Sequence, residues 1–261
     1  MTLFQVFFLG FIQGVTEFLP ISSSGHLVLI EKVFGWKTQP TAFDITMHCA
    51  TLLAIIIYFR HDLVHYGKTI RSEPTIRLLK NLVITTLPAA LIGLLLKDFI
   101  DETFKQEWII LAAMIVIGIV FLISPKLFRK KSKTIEQTKI KNSLIIGLFQ
   151  PLAFIRGVSR SGITIIGGLT QSLDMESAVK YSFLAGIPLL GLTAAGQAFS
   201  FIKSGFGDLS PVNLGIGFIV AFITGLAAIK ILLVLIKKQG LVIFGVYRII
   251  FALLFALFLL K

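Results

Sequence analysis

Two short stretches of the chain hold most of the side chains able to do chemistry. The first reads Gln13-Gly-Val-Thr-Glu17-Phe-Leu-Pro20-Ile-Ser22-Ser23-Ser24-Gly25-His26. The second reads Arg156-Gly-Val-Ser159-Arg160-Ser161-Gly162-Ile-Thr164. In the first, Gln13 and Glu17 are four residues apart and share a helix face. Pro20 ends that helix, and the serines that follow can cap a new one starting near Ser24. Such a start presents free N–H groups and hydroxyls at an anion-binding terminus, with His26 a turn or less inside it. In the second, Arg160 is flanked by hydroxyls, and its forked guanidinium donates several hydrogen bonds to a phosphate at once. If the stretches meet, Arg160 lies near Ser23 and His26. A carboxylate, an imidazole, a guanidinium, hydroxyls and helix N-termini suit a phosphate ester or diphosphate better than a sugar or a simple cation. Arg160 also has a plainer reading, as a structural counter-charge for Glu17.

The elements that must hold these groups lie in a membrane. Of the 261 residues, 56% are hydrophobic and only 15% charged, where a soluble domain carries about a quarter. That composition excludes a soluble enzyme, a disordered chain and a fibre, and leaves a polytopic helical membrane protein. Ionisable groups at membrane depth are functional candidates by default, because burying them there is costly. The net charge of +12 reads first as the Lys/Arg excess of cytoplasmic loops, not as a nucleic-acid footprint. Cys49 is the sole cysteine, so no intramolecular disulfide or cysteine zinc cluster is expected. No Lys or Arg precedes Lys32, which argues against a removable signal peptide.

Six apolar segments, about 43–59, 80–96, 107–124, 177–201, 212–236 and 240–260, are expected to be transmembrane helices. Arg60, Lys68, Arg71, Arg77, Lys80, Lys126, Arg129, Lys130, Lys131, Lys133, Lys139, Lys141, Lys237 and Lys238 are 14 of the 25 cations and mark the cytoplasmic side. The intervening loops hold Lys97, Lys105 and Lys203, offset by Asp98, Asp101, Glu102 and Asp208. Counting crossings then leaves segments 3–33 and 142–172 beginning and ending on one side each. Both are expected to be re-entrant helical hairpins, broken at their polar centres. Sliding the first by 137 positions superposes Gly10, Gln13, Ser22, Ser24 and Gly25 on Gly147, Gln150, Ser159, Ser161 and Gly162. The expected fold is therefore all-α, in a single membrane domain over 1–261. Two inverted-topology repeats, 1–124 and 142–261, each contribute one hairpin and three helices, joined by a basic cytoplasmic linker at 125–141. Such repeats place a site at mid-membrane.

Other polar residues carry weaker signals. Asp44, His48, Lys180 and Lys230 sit at helix ends or alone on apolar stretches, where snorkelling or a satisfied hydrogen bond accounts for them. His61 and His65 fall in a basic loop and are expected to be solvated. The 24 phenylalanines are read as lipid contact and helix packing.

The two stretches resemble the motifs of the bacitracin-resistance type undecaprenyl-diphosphate phosphatases. That family carries [E/Q]-x-x-x-E followed by P-x-S-S-x-G-H, and later P-G-x-S-R-S-x-x-T. Here these stand as Gln13 to Glu17, Pro20 to His26, and Gly157 to Thr164. The resemblance covers essentially the whole chain. It implies hydrolysis of undecaprenyl diphosphate in a bacterial inner membrane, at a site open to the outer face, with a Mg²⁺ or Ca²⁺ ion. It makes Glu17, Ser23, His26 and Arg160 the catalytic set, with Ser23 and His26 as a pair and Glu17 as the metal residue. Gln13, Ser22, Ser24, Gly25, Arg156, Ser159, Ser161 and Thr164 become substrate-binding residues. A prenyl diphosphate lipid and the bilayer are the expected partners, a homodimer stays open, and nucleic acid is not expected. Two positions depart from the usual pattern: Gln13 in place of the first glutamate, and Arg156 where proline is usual. The nucleophile stays open among Ser23, His26 and a water positioned by Glu17. The rival reading is a lipid-phosphate flippase or anion transporter on the same architecture.

Overall fold

The structure is a computed structural model. It describes the chain apart from residues 97–98, 101–102, 105, 129–131, 205–209 and 260–261, and gives no side chains for 197–204. The loop charges Lys97, Asp98, Asp101, Glu102, Lys105, Arg129, Lys130, Lys131 and Asp208, and the Lys203 side chain, therefore lie outside the described residues.

Among the described residues the regular structure is helical, apart from one isolated bridge between Lys133 and Leu173. Six helices are long and apolar enough to cross a membrane. They are α3 (Thr41–Tyr58), α5 (Glu73–Leu95), α6 (Glu107–Leu127), α9 (Met175–Ser204), α10 (Pro211–Gln239) and α11 (Val242–Leu259). The expected segments coincide with these, with one shift. Helix α5 starts at Glu73, not near 80, because Ser72 precedes a first turn holding both an acid and Pro74. Arg77 and Lys80 are thus on a helix, and the expected loop before them contains a further helix, α4 (Arg60–Lys68). The outward faces carry Leu91, Leu94, Val116, Ile219, Ile223 and Leu254, all exposed, as lipid contact requires.

The two interrupted segments are helix–break–helix units. The first is α1 (Leu3–Phe18) and α2 (Ser23–Val33). The second is α7 (Ile140–Phe149), a 3₁₀ turn at Gln150–Phe154, and α8 (Arg160–Thr170). Helices α2 and α8 each have 11 residues and rise about 16 Å, roughly half the hydrocarbon core. A capping box starts α1: Gln5 N–H donates to Thr2 Oγ1 at 3.2 Å, and Thr2 N–H to Gln5 Oε1 at 2.8 Å. Pro20 stops it by forcing Leu19 out of helical geometry, to φ −63 and ψ 139.

Packing brings the breaks together. Helix α1 lies along α10 and α7 along α5, while α3 packs on both α9 and α10 and α6 pairs with α11. The α1 and α7 contacts are close approaches of backbone to backbone. A Cβ on Gly10 would stand 3.0 Å from Gly217 O, and one on Gly147 would stand 2.6 Å from Thr85 O. A buried polar knot holds α5, α7 and α9 together, in which Tyr181 OH meets Thr85 Oγ1 at 2.6 Å and donates to Ser143 Oγ at 3.0 Å.

Candidate active site

Each break ends in the same cap. Ser22 and Ser159 both take positive φ, 75 and 77, a region non-glycine residues seldom enter. Each hydroxyl accepts the N–H three residues on, from Gly25 and Gly162 respectively, at 3.3 Å. The caps also meet each other, because Ser22 Oγ accepts the Gly157 N–H at 3.0 Å. The residue after each cap then begins its helix at the junction: Ser23 on α2 and Arg160 on α8.

These two residues converge on Glu17. Ser23 Oγ donates to Glu17 Oε2 at 2.7 Å, and Arg160 Nη2 donates to Glu17 Oε1 at 2.9 Å. Gln13 Nε2 adds a donor to Oε2 at 3.2 Å from one turn back. A buried carboxylate thus has a hydroxyl on one oxygen and a guanidinium on the other. Arg160 fits because Gly186 on α9 has no side chain; a Cβ there would collide with Nη1.

Glu17, Ser23 and Arg160 line a cavity of about 240 Å³ together with Ser22, Ser24 and Ser159. Its other walls are Ala89, Ala153, Phe154, Leu189 and Leu190, with Thr193, His48 and Gln150. Polar and apolar side chains share one space, as an amphiphilic ligand requires.

The remaining expected residues stand apart from that lining. His26 is buried, and its ring nitrogens face groups other than Ser23. Its Nδ1 is 2.8 Å from the Ser22 carbonyl, which can only accept, so Nδ1 carries the proton; Nε2 is 2.8 Å from Tyr247 OH. Phe251 stacks on the ring with centroids 4.1 Å apart. The expected Ser23–His26 pairing is therefore not the one found: Ser23 is bonded to Glu17, and His26 braces the cap. Thr164 Oγ1 is spent on the Arg160 carbonyl at 2.8 Å, and Ser161 Oγ meets Ser159 Oγ at 3.2 Å. Gly25 packs against Gly157 where the loops touch, and Arg156 lies on the turn before it, outside the lining.

Three further residues belong to the site without a strong sequence signal. His48 lines the cavity, with Nε2 3.6 Å from Asp44 and Nδ1 buried without a partner. Gln150 is buried with neither amide atom bonded; its one signal is its match to Gln13. Arg248 on α11 is fully buried and donates to four carbonyls, those of Pro20, Ala113, Met114 and Gly157. It ties both breaks to α6. In the sequence it is just a lone arginine in the last span. Lys180, by contrast, is accounted for by an ion pair with Asp62 at 2.6 Å.

Fold and site together define a polytopic helical membrane protein with a hydroxyl, a carboxylate and a guanidinium converging in a cavity between two broken helices. The sequence profile of the family described as "Bacitracin resistance protein BacA" matches residues 6–254, and the chain belongs to that family. It is similar to Undecaprenyl-diphosphatase 1 of Shouchella clausii (strain KSM-K16), with 38% identity over 99% of this chain and 97% of the relative. Proteins called Undecaprenyl-diphosphatase from Aliivibrio salmonicida (strain LFI1238) and Marinobacter nauticus (strain ATCC 700491 / DSM 11845 / VT8) are each 38% identical. The first match covers 96% of both chains and the second 97% of both.

Proposed function

We propose that this chain hydrolyses undecaprenyl diphosphate to undecaprenyl phosphate and inorganic phosphate in the cavity between the two breaks, with Ser23 as nucleophile. The activity is the one its full-length relatives are named for. The observation that carries the assignment of Ser23 is its 2.7 Å hydrogen bond to Glu17.

In the first step Ser23 Oγ attacks the terminal phosphorus and Glu17 takes its proton. The bridging P–O bond breaks, and its electron pair leaves with the lipid phosphate. Protonating Glu17 removes the charge that held Arg160, freeing the guanidinium for the phosphoryl oxygens as they gain charge. In the second step water attacks the phosphoserine, and Ser23 Oγ recovers a proton from Glu17. His26 acts through Ser22, holding the cap that aims Ser23.

Among the described residues no cluster of three His, Cys, Asp or Glu side chains could hold a metal alone. Glu17 is the one carboxylate among the cavity's described lining residues and would be the protein ligand of a Mg²⁺ or Ca²⁺ ion. Such an ion would supply charge neutralisation when bound.

The architecture is an inverted repeat with two re-entrant hairpins, in a bacterial inner membrane. What supports this is the reciprocal packing: α1 lies on α10 of the second half, α7 lies on α5 of the first, and α6 and α11 pair. The cavity opens to the outer face, since Ala89 and Thr193 lie in the halves of α5 and α9 remote from Lys80 and Lys180. The prenyl chain leaves along that apolar wall.

The test is phosphate release from undecaprenyl diphosphate by purified protein in detergent. Ser23→Ala, Glu17→Gln and Arg160→Ala should each fall below about 1% of wild type. Acid quenching with labelled terminal phosphate should trap label on Ser23. Label on His26, or full activity of Ser23→Ala, would overturn the nucleophile. Translocation of lipid in vesicles without phosphate release would favour a carrier. For topology, Trp36→Cys and Lys68→Cys in a Cys49→Ala background should react with impermeant reagent from opposite sides.

A further inference from the structure

Buried polar atoms without a partner are rare, and each is costly unless something binds it. Among the described residues there are seven such side-chain atoms: Gln39 Oε1, His48 Nδ1, Asn81 Oδ1, Thr138 Oγ1, Gln150 Nε2, Gln150 Oε1 and Arg160 Nη1. Four of the seven belong to three residues, His48, Gln150 and Arg160, and all three line the cavity that holds Glu17 and Ser23. The concentration is not a property of the residue types. Gln13, the counterpart of Gln150, has its amide bonded to Glu17. Gln150 has no carboxylate to meet, because the counterpart of Glu17 is Phe154. Gln150 is 1% exposed, so solvent does not serve its amide either.

A diphosphate brings two phosphoryl groups to this cavity. Ser23 and Glu17 serve the one that is attacked. The other, which departs with the lipid, needs donors of its own. We propose that Gln150, assisted by His48, binds the lipid-side phosphoryl group and so sets the preference of the site for a diphosphate. Gln150 Nε2 donates to a non-bridging oxygen of that group, and Oε1 accepts from a water carried in with it. Arg160 stays at the Glu17 end through Nη2, while its Nη1 abuts Gly186. Gln150 opens the 3₁₀ turn Gln150–Phe154, whose Ala153 and Phe154 begin the apolar wall. An amide there stands where the headgroup ends and the prenyl chain starts. The inference rests on the diphosphatase reading above.

The experiment compares wild type with Gln150→Leu and His48→Gln, using farnesyl diphosphate as substrate and two inhibitors. Inorganic phosphate probes the attacked position alone; farnesyl monophosphate also engages the lipid-side position. Leucine nearly matches glutamine in size and removes unpaired polar atoms, so Gln150→Leu should fold. Its KM should rise about tenfold, and inhibition by farnesyl monophosphate should weaken by a similar factor, the worth of one charge-assisted hydrogen bond. Inhibition by inorganic phosphate should not change. His48→Gln should shift the same two quantities by a smaller factor. Unchanged KM and monophosphate inhibition in a folded Gln150→Leu would overturn the proposal. Equal weakening of both inhibitors would also overturn it, by assigning Gln150 to the attacked phosphoryl group. Failure of the parent reading looks different, because wild type itself would then release no phosphate.

Discussion

The two breaks share a backbone and divide the chemistry. Ser22 and Ser159 have the same cap, nearly the same φ and the same accepted N–H distance. One position later, one loop has Ser23 and the other Arg160. Five residues before the cap, one has Glu17 and the other Phe154; four after it, one has His26 and the other Ile163. The cap is what the geometry demands of both, since a helix that starts in buried surroundings must satisfy its first N–H groups. The position after the cap is free of that duty. There one loop carries a hydroxyl beside its own carboxylate, and the other reaches across with a cation. The repetition sets where the groups stand, and the difference between the loops sets what they do.

The sharpest way to break this division is at Arg160. If it belongs to the phosphoryl chemistry, Arg160→Ala should lower kcat/KM about a thousandfold, with thermal unfolding near that of wild type. Arg160→Lys should recover only part, because an ammonium lacks the planar fork that serves Glu17 and then a phosphoryl group. Normal turnover with a large drop in Tm would reduce Arg160 to the structural counter-charge that the 2.9 Å pair with Glu17 also allows.

A second test asks what keeps the loops in register. Arg248 donates to Pro20 in one and Gly157 in the other, and its hydrogen bonds run to four carbonyls and to no carboxylate. Arg248→Met should destabilise by about 3 kcal/mol, since it strips the donor from several buried acceptors at once. Thermal unfolding in detergent measures this. A Tm within a degree of wild type would show that the Ser22–Gly157 hydrogen bond alone holds the junction.

Much of this architecture is legible in the amino-acid sequence, and the reasons differ by feature. The six spans are legible because, in a membrane, apolar length is itself the signal. The two breaks are legible because polar runs stand out against apolar sequence, and the shift of 137 pairs them. The start of α5 is not, because Arg77 and Lys80 look like loop residues when counted as charges. The family resemblance makes Ser23 and His26 partners, and their spacing of three does not forbid it. The ring is instead captured by the carbonyl of Ser22, four residues back. Nothing in the spacing decides between those two hydrogen bonds. His48 and Arg248 reach the site from α3 and α11, and no local pattern reports a contact between elements so far apart in the chain.

The paired glutamines give a smaller effect with opposite signs. Gln13 is bonded to Glu17, while Gln150 has no partner. Gln13→Leu should therefore cost about 1 kcal/mol of stability, and Gln150→Leu should gain a similar amount. Matching Tm changes of the same sign would mean that the two loops are equivalent after all.

The caps provide the finest comparison. Ser159 Oγ accepts one backbone N–H, from Gly162, whereas Ser22 Oγ accepts two, from Gly25 and Gly157. Losing one cap bond costs about 1 kcal/mol. Ser159→Ala should stay near that figure and Ser22→Ala should exceed it, because the second N–H belongs to the opposite loop. Alanine at either site keeps the positive φ, so backbone strain cancels between the two variants. Glycine relieves that strain, and Ser159→Gly should fall close to wild type in Tm, while Ser22→Gly should stay below it for want of the bridge to Gly157. Equal Tm values for the two glycine variants would mean that the bridge contributes nothing, and that the loops meet only because their helices bring them there.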